Sequence, residues 1–94
     1  MNVISRRTLD EFMRKHADSR EPLLSWYREA CGSVWKTPQD IKNKYPSASF
    51  TAGNTVIFNI KGNKYRLVTK VAYKTKIVFV KWFGPHAEYD KLEF

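Results

Sequence analysis

Up to Pro46 the apolar residues of this chain return every three or four positions; beyond it they gather in short runs rich in β-branched and aromatic residues. The first pattern belongs to helices buried on one side, the second to strands of a sheet. In "VISRRTLDEFMRKHA", Leu9, Phe12, Met13 and His16 fall at i, i+3, i+4 and i+7, which predicts a helix behind a short strand or lead-in. Ser5 and Thr8 both suit its cap, and Thr8 with Glu11 has capping-box spacing. His16, at the edge of the stripe, reads as a packed or solvent-edge histidine, not a catalytic one. Leu23, Tyr27, Ala30 and Val34 predict a second helix, with Pro22 in its first turn and Gly32-Ser33 at its end. Cys31 lies on that apolar stripe and reads as a small core residue. "KTPQDIKNKYP" predicts a short third helix, capped by Thr37, opened by Pro38, with Asp40 at the positive end of its dipole and Pro46 as its stop.

"TVIFNI", "KYRLVTKVAY" and "KIVFVKWF" have the length and the β-branched and aromatic content of strands. Gly62-Asn63 predicts a tight hairpin turn between the first two, and Lys74-Thr75 a weaker one between the next pair. The expected fold is therefore a single α+β domain over residues 1–94. Two N-terminal helices and a short third helix pack on an antiparallel sheet of three or four strands. In the middle strand Tyr65, Leu67, Val71 and Tyr73 share the face that the helices need, which directs Arg66, Val68, Lys70 and Ala72 to the open face. In the last strand Val78, Val80 and Trp82 alternate with Ile77, Phe79, Lys81 and Phe83, and period alone does not say which set is buried.

Charge sharpens this picture through its distribution more than its total of +8. Residues 1–40 carry seven basic and six acidic side chains, whereas residues 41–87 carry nine Lys or Arg and no acid. A generic solvated surface mixes its signs, and a one-signed field attracts phosphate polymers. The nucleic-acid reading is favoured over that of a basic protein awaiting an acidic partner. No apolar run approaches the roughly 20 residues of a membrane span. "MNVISRRTL" lacks the apolar stretch of a signal peptide, and a lone cysteine cannot form an internal disulfide. The expected location is the cytoplasm, with no membrane contact.

The candidate chemistry lies in "FGPHAEYDK" and the hairpin. RNA cleavage asks that a 2′-hydroxyl lose a proton, that charge on the phosphorus be stabilised, and that the departing 5′-oxygen gain a proton. Arg66 offers a bidentate cation for phosphate oxygens, His86 an acid or base near neutrality, and Tyr89 a phenol that neighbouring cations help to ionise. One histidine with two scattered carboxylates does not make a metal site, so neither metal nor other cofactor is expected. Plainer roles stay open. Arg66 can pin a strand edge through a carbonyl, His86 can bond the backbone of a turn, and Tyr89 can pack on Trp82 or Phe83. Glu88 and Asp90 can balance nearby lysines, and exposed aromatics can stack bases without cleaving anything.

"NIKGNKYRLVTKVAY" followed by "KIVFVKWFGPHAEYD" resembles the core of the HigB-type toxins, members of the RelE superfamily of bacterial mRNA interferases. The "VIS" opening, the "P-x-x-[IL]-K" helix at Pro38–Lys42 and the "FNI-x-GN-x-[YF]RL" hairpin fall in the family's order, so the likeness covers nearly the whole chain. "GNKYRLV" and "HAEYDK" are its most distinctive anchors. The resemblance implies a RelE-like toxin that cuts mRNA, generally on the ribosome. It also implies a cognate helix-turn-helix antitoxin, HigA-like, that blocks the toxin. Arg66 matches the strand arginine that holds the scissile phosphate, His86 a basic or imidazole group after the last strand, and Tyr89 a tyrosine near the C-terminus. Lys61, Asn63 and Lys64 match the hairpin region that contacts RNA, with Lys70 and Lys81 as further basic groups for the same substrate. Two other classes remain: a non-catalytic RNA- or ribosome-binding module, and a toxin of this fold that inhibits a protein such as gyrase.

Overall fold

In the computed structural model, which describes residues 1–92, the N-terminal part runs β1 (Asn2–Ile4), α1 (Arg6–Lys15), a 3-10 turn (Ala17–Ser19), α2 (Arg20–Cys31) and α3 (Pro38–Lys44). Four strands follow, β2 (Ser49–Thr51), β3 (Thr55–Ile60), β4 (Tyr65–Ala72) and β5 (Ile77–Pro85), and then α4 (His86–Tyr89). The α+β class and the β3–β4–β5 meander agree with the alternation in the sequence. The sheet itself corrects the expectation of three or four antiparallel strands. It has five, in the order β1-β5-β4-β3-β2, and is mixed because β1 runs parallel to β5. The two added strands are three residues each, too short to display an alternation of their own. "VIS" becomes a strand because β5 offers it an edge: Asn2 N–H donates to the Lys76 carbonyl at 2.8 Å, and Val3 is buried. α4, where only a turn was expected, is the other addition.

The helices begin where their caps dictate. Ser5, not Thr8, caps α1, accepting the Thr8 N–H at 3.1 Å. α3 has a full capping box, with Thr37 Oγ1 accepting from Asp40 N–H and the Asp40 carboxylate accepting from Thr37 N–H. Leu9 and Met13 of α1, Leu23, Leu24, Trp26 and Ala30 of α2, and Ile41 of α3 cover one face of the sheet. That face presents Val56, Phe58, Ile60, Leu67, Val71, Val78 and Phe83. Two helical readings need correction. Cys31 is exposed, because the buried stripe of α2 runs through Ala30 and the helix ends one residue later. Val34 is 56% exposed, because it lies past Gly32 and out of helical phase, while its neighbour Trp35 turns into the core.

β5 resolves the parity that its sequence leaves undecided. Thr69 pairs with Val80 and Val68 with Trp82, so Lys81 is an extra residue, a β-bulge. Val78 points inward before the bulge and Phe83 after it. The strand therefore changes phase midway, and Trp82 goes to the open face. Gly84 and Pro85 extend the ladder, pairing with Arg66 and Tyr65, and Pro85 becomes the cap of α4. The β3–β4 turn closes on Gly62-Asn63 as expected, with Lys64 N–H donating to Lys61 C=O at 3.2 Å. Lys61 and Gly62 both adopt positive φ, 55° and 63°.

Phe58 is the aromatic centre of the core, its ring 5.3 Å from Trp26, 6.1 Å from Trp35 and 5.1 Å from Tyr45. Phe58→Ala should destabilise the domain by about 3–5 kcal/mol in urea unfolding. Lys74→Ala, on the exposed β4–β5 turn, should stay within about 0.5 kcal/mol of the parent.

Candidate active site

The strand registers lay out the open face in cross-strand rows. Asn59, Arg66 and Gly84 form the first row, Ile57, Val68 and Trp82 the second, and Thr55, Lys70 and Phe79 the third. Ile57 and Val68 are buried although they face away from the α1–α3 layer. They form the apolar floor of an open concavity of about 620 Å³. Thr51, Ala52 and Thr55 of the β2–β3 hairpin wall it on one side, and Lys70, Lys81 and Tyr89 complete it. The bulge that puts Trp82 outside thus leaves Lys81 at the rim, with its ammonium 5.4 Å from the Phe79 ring.

Gly84 is required here by close approach. A Cβ at that position would lie 2.7 Å from Trp82 Cζ2, so the indole lies across the glycine, next to the partner strand's Arg66. The same indole meets the Tyr89 ring at 6.3 Å, a tilted contact that seats α4 on the sheet. One turn earlier in α4, His86 Nδ1 is 3.5 Å from the Asp90 carboxylate. The His86 backbone N–H donates to the Lys64 carbonyl at 2.9 Å, which fastens the start of α4 to the β3–β4 turn. Arg66 leans on the same turn, its Nη1 donating to the carbonyls of Asn63 (3.3 Å) and Tyr65 (3.4 Å).

Lys61 and Lys64 behave differently from the other predicted RNA contacts. Both donate to the carboxylate of Asp18, in the 3-10 turn between α1 and α2, and the Tyr65 hydroxyl donates to it as well. The bond from Lys64, then that from Tyr65, holds the Asp18 carboxyl well below the usual carboxylate range. The same carboxylate raises Lys64 and Tyr65, with burial adding to the effect on Tyr65.

The predicted site residues therefore fall into three groups. Lys70, Lys81 and Tyr89 line one concavity; Arg66 through its guanidinium and His86 through its backbone N–H are tied to carbonyls of the β3–β4 turn that carries Asn63; Lys61 and Lys64 are turned to the helical layer. Two of the plainer roles are also seen, since Arg66 does meet carbonyls and Tyr89 does pack on Trp82. Sequence reasoning missed Asp18, the threonines of the β2–β3 hairpin and the position of Trp82. One signal pointed to Asp18. A segment with no acid must find its counter-charges elsewhere, and the helices hold them. Among the described residues no three His, Cys, Asp or Glu side chains stand close enough together to hold a metal ion.

Comparison with known proteins gives a consistent result. Residues 19–92 match the HigB_toxin family, described as the RelE-like toxic component of a toxin-antitoxin system. The chain is 31% identical to the mRNA interferase HigB of Escherichia coli O6:H1 (strain CFT073) over 94 residues, 98% of this chain and 91% of that one. It is 23% identical over 92 residues to the mRNA interferase toxin HigB of Escherichia coli K12 and to the mRNA interferase HigB of Shigella flexneri, covering 96% of this chain and 88% of theirs.

Two outcomes follow from this geometry. Gly84→Ala should displace the Trp82 indole and cost about 1–3 kcal/mol by overpacking. In a Trp82→Ala background the same change should be nearly neutral, a coupling that a double-mutant unfolding cycle reads directly. Asp18 has a depressed folded-state pKa, so its stabilisation is complete above the unfolded value of about 3.9 and declines as the pH falls below it. The stability difference between wild type and Asp18→Asn should therefore stay constant from pH 7 to pH 5 and shrink in more acid solution.

Proposed function

The chain belongs to the HigB family of RelE-like toxins, and from that membership we propose how its open face cuts RNA. It is the toxin of a toxin–antitoxin system, an mRNA interferase whose substrate is messenger RNA and whose partner is an antitoxin. The scissile phosphate sits at the Arg66 end of the sheet, and the flanking nucleotides run over the concavity between Lys70 and Lys81. The observation that carries this reading is that the Arg66 guanidinium and the backbone N–H that opens the His86 helix both bond carbonyls of the β3–β4 turn, on a sheet whose open face holds a basic, apolar-floored groove lined by Tyr89.

The ribose 2′-oxygen forms its bond to phosphorus as the bond to the 5′-oxygen breaks, leaving a cyclic phosphate and a free 5′-hydroxyl. Arg66 is free to exchange its two long carbonyl bonds for the non-bridging oxygens, where negative charge accumulates. His86, its Nδ1 within 3.5 Å of the Asp90 carboxylate, and Tyr89 move the two protons or orient the groups that do. Ile57 and Val68 give a nucleobase an apolar seat, and Lys70 and Lys81 neutralise the adjoining phosphates. The message is presented on the ribosome, which places the action in the cytoplasm. The antitoxin is a helix-turn-helix protein of the HigA kind. No helix among the described residues is long and apolar enough to cross a membrane.

Mapping the 5′ ends of a defined mRNA, naked and on ribosomes with an empty decoding site, tests this assignment. Arg66→Ala should lower cleavage by about a hundredfold to a thousandfold and abolish growth arrest with the fold intact. Lys70→Ala and Lys81→Ala should raise KM and each flatten the salt dependence. A folded, toxic protein that makes no new ends would point to a protein target instead.

A further inference from the structure

We propose that Asp18 is a positioning residue of the nuclease: by gripping Lys61, Lys64 and Tyr65 it fixes the β3–β4 turn against the helical layer, and through that turn it sets Arg66 and His86. This role presupposes the RNA-cleaving site proposed above. It also moves Lys61 and Lys64 from the RNA-binding surface to the scaffold.

Three donors on one carboxylate, arriving from positions 43, 46 and 47 residues away in sequence, amount to more than a solvated ion pair. Asp18 is itself firmly placed. Its neighbour Ser19 is fully buried, with both its hydroxyl and its backbone N–H bonded to the His16 carbonyl, at 2.6 and 2.9 Å. The His16 ring, in turn, packs on Tyr65 at 5.3 Å and on Phe83 at 5.9 Å. At the receiving end, Lys61 adopts a left-handed backbone that an L side chain rarely takes, and its own ammonium is one of the groups that Asp18 holds. The three carbonyls of Asn63, Lys64 and Tyr65 then carry the groups that matter: Arg66 on the first and third, the His86 N–H on the second. Side chains of this segment point to Asp18 and its carbonyls to the site. A turn loosened at one end would release both candidate catalytic groups at the other.

The test uses the full-length toxin and the mRNA on which wild type shows cleavage, with Asp18→Asn, Asp18→Glu, Lys64→Met and the double variant Asp18→Asn/Lys64→Met. The rate at saturating RNA should fall by about tenfold to a hundredfold in Asp18→Asn, as expected for a misplaced clamp. KM should stay within about twofold. Asp18→Glu should recover part of the rate, and the double variant should be no worse than Asp18→Asn alone, because the contact that Lys64→Met removes is already broken there. Hydrogen exchange should accelerate at the His86 backbone N–H in Asp18→Asn while that of Leu67 and Val71 in the core stays slow. An unchanged rate in Asp18→Asn with a raised KM in Lys64→Met would overturn the proposal and return the lysines to RNA binding. Faster exchange throughout the sheet would overturn it too, in favour of general stability. A wild type that cuts no RNA would sink the nuclease reading and the catalytic consequence with it, while exchange at His86 would still decide whether Asp18 holds the turn.

Discussion

β4 has to serve two surroundings at once, and the rest of the structure depends on how it does so. It is hydrogen-bonded along both edges, to β3 and to β5. Tyr65, Leu67, Thr69 and Val71 face the helices and are buried; Arg66 and Lys70 face outward. Thr69 brings a hydroxyl into the buried set, and it is satisfied by the Val56 carbonyl at 2.8 Å. A slip of one residue would send Arg66 under the helices and Leu67 into water, a cost that neither edge can offset. Register is therefore fixed by the core, and the core aims the arginine.

Electrostatics divides the acid-free half of the chain between two tasks. Lys61 and Lys64 meet a carboxylate from the N-terminal half, so part of the positive charge serves to join the hairpin to the helical layer. Lys70 and Lys81 remain on the open face, where their charge reaches into a concavity with a buried apolar floor. Low-dielectric walls of this kind focus a field toward an incoming polyanion. The same residue type thus meets different surroundings at the two places, a carboxylate for Lys61 and Lys64 and an open concavity for Lys70 and Lys81, and only the third dimension separates them.

The long, strongly periodic elements were legible in the sequence: α1, α2, the capped α3, the three central strands and the outward face of Arg66 and Lys70. What escaped did so for identifiable reasons. β2 is a strand because of the edge it meets, a non-local cause that a three-residue segment cannot announce; before α1 the sequence offered a short strand or a lead-in, and its parallel pairing with β5 is what could not be read. The phase change in β5 comes from a bulge at Lys81, and an alternation read across it gives two incompatible answers. Val34 was misplaced because the helical stripe was extended past the point where Gly32 ends it, and Cys31 because the buried stripe closes on Ala30, one position before it. Within the candidate site, Arg66, His86 and Tyr89 stood out by chemical type. Asp18 did not, since nothing in "HADSRE" announces a partner more than forty positions onward.

The concavity is built from parts of unequal cooperativity. Ile57 and Val68 belong to strands paired on both sides, so the floor can be lost only with the domain itself. The roof is a helix of a single turn, His86–Tyr89, laid on the Trp82 ring and tied at its start to the β3–β4 turn. Such a piece can lift in a local opening far less costly than global unfolding. The floor and the roof of the cleft therefore differ in how much of the domain must yield before either moves.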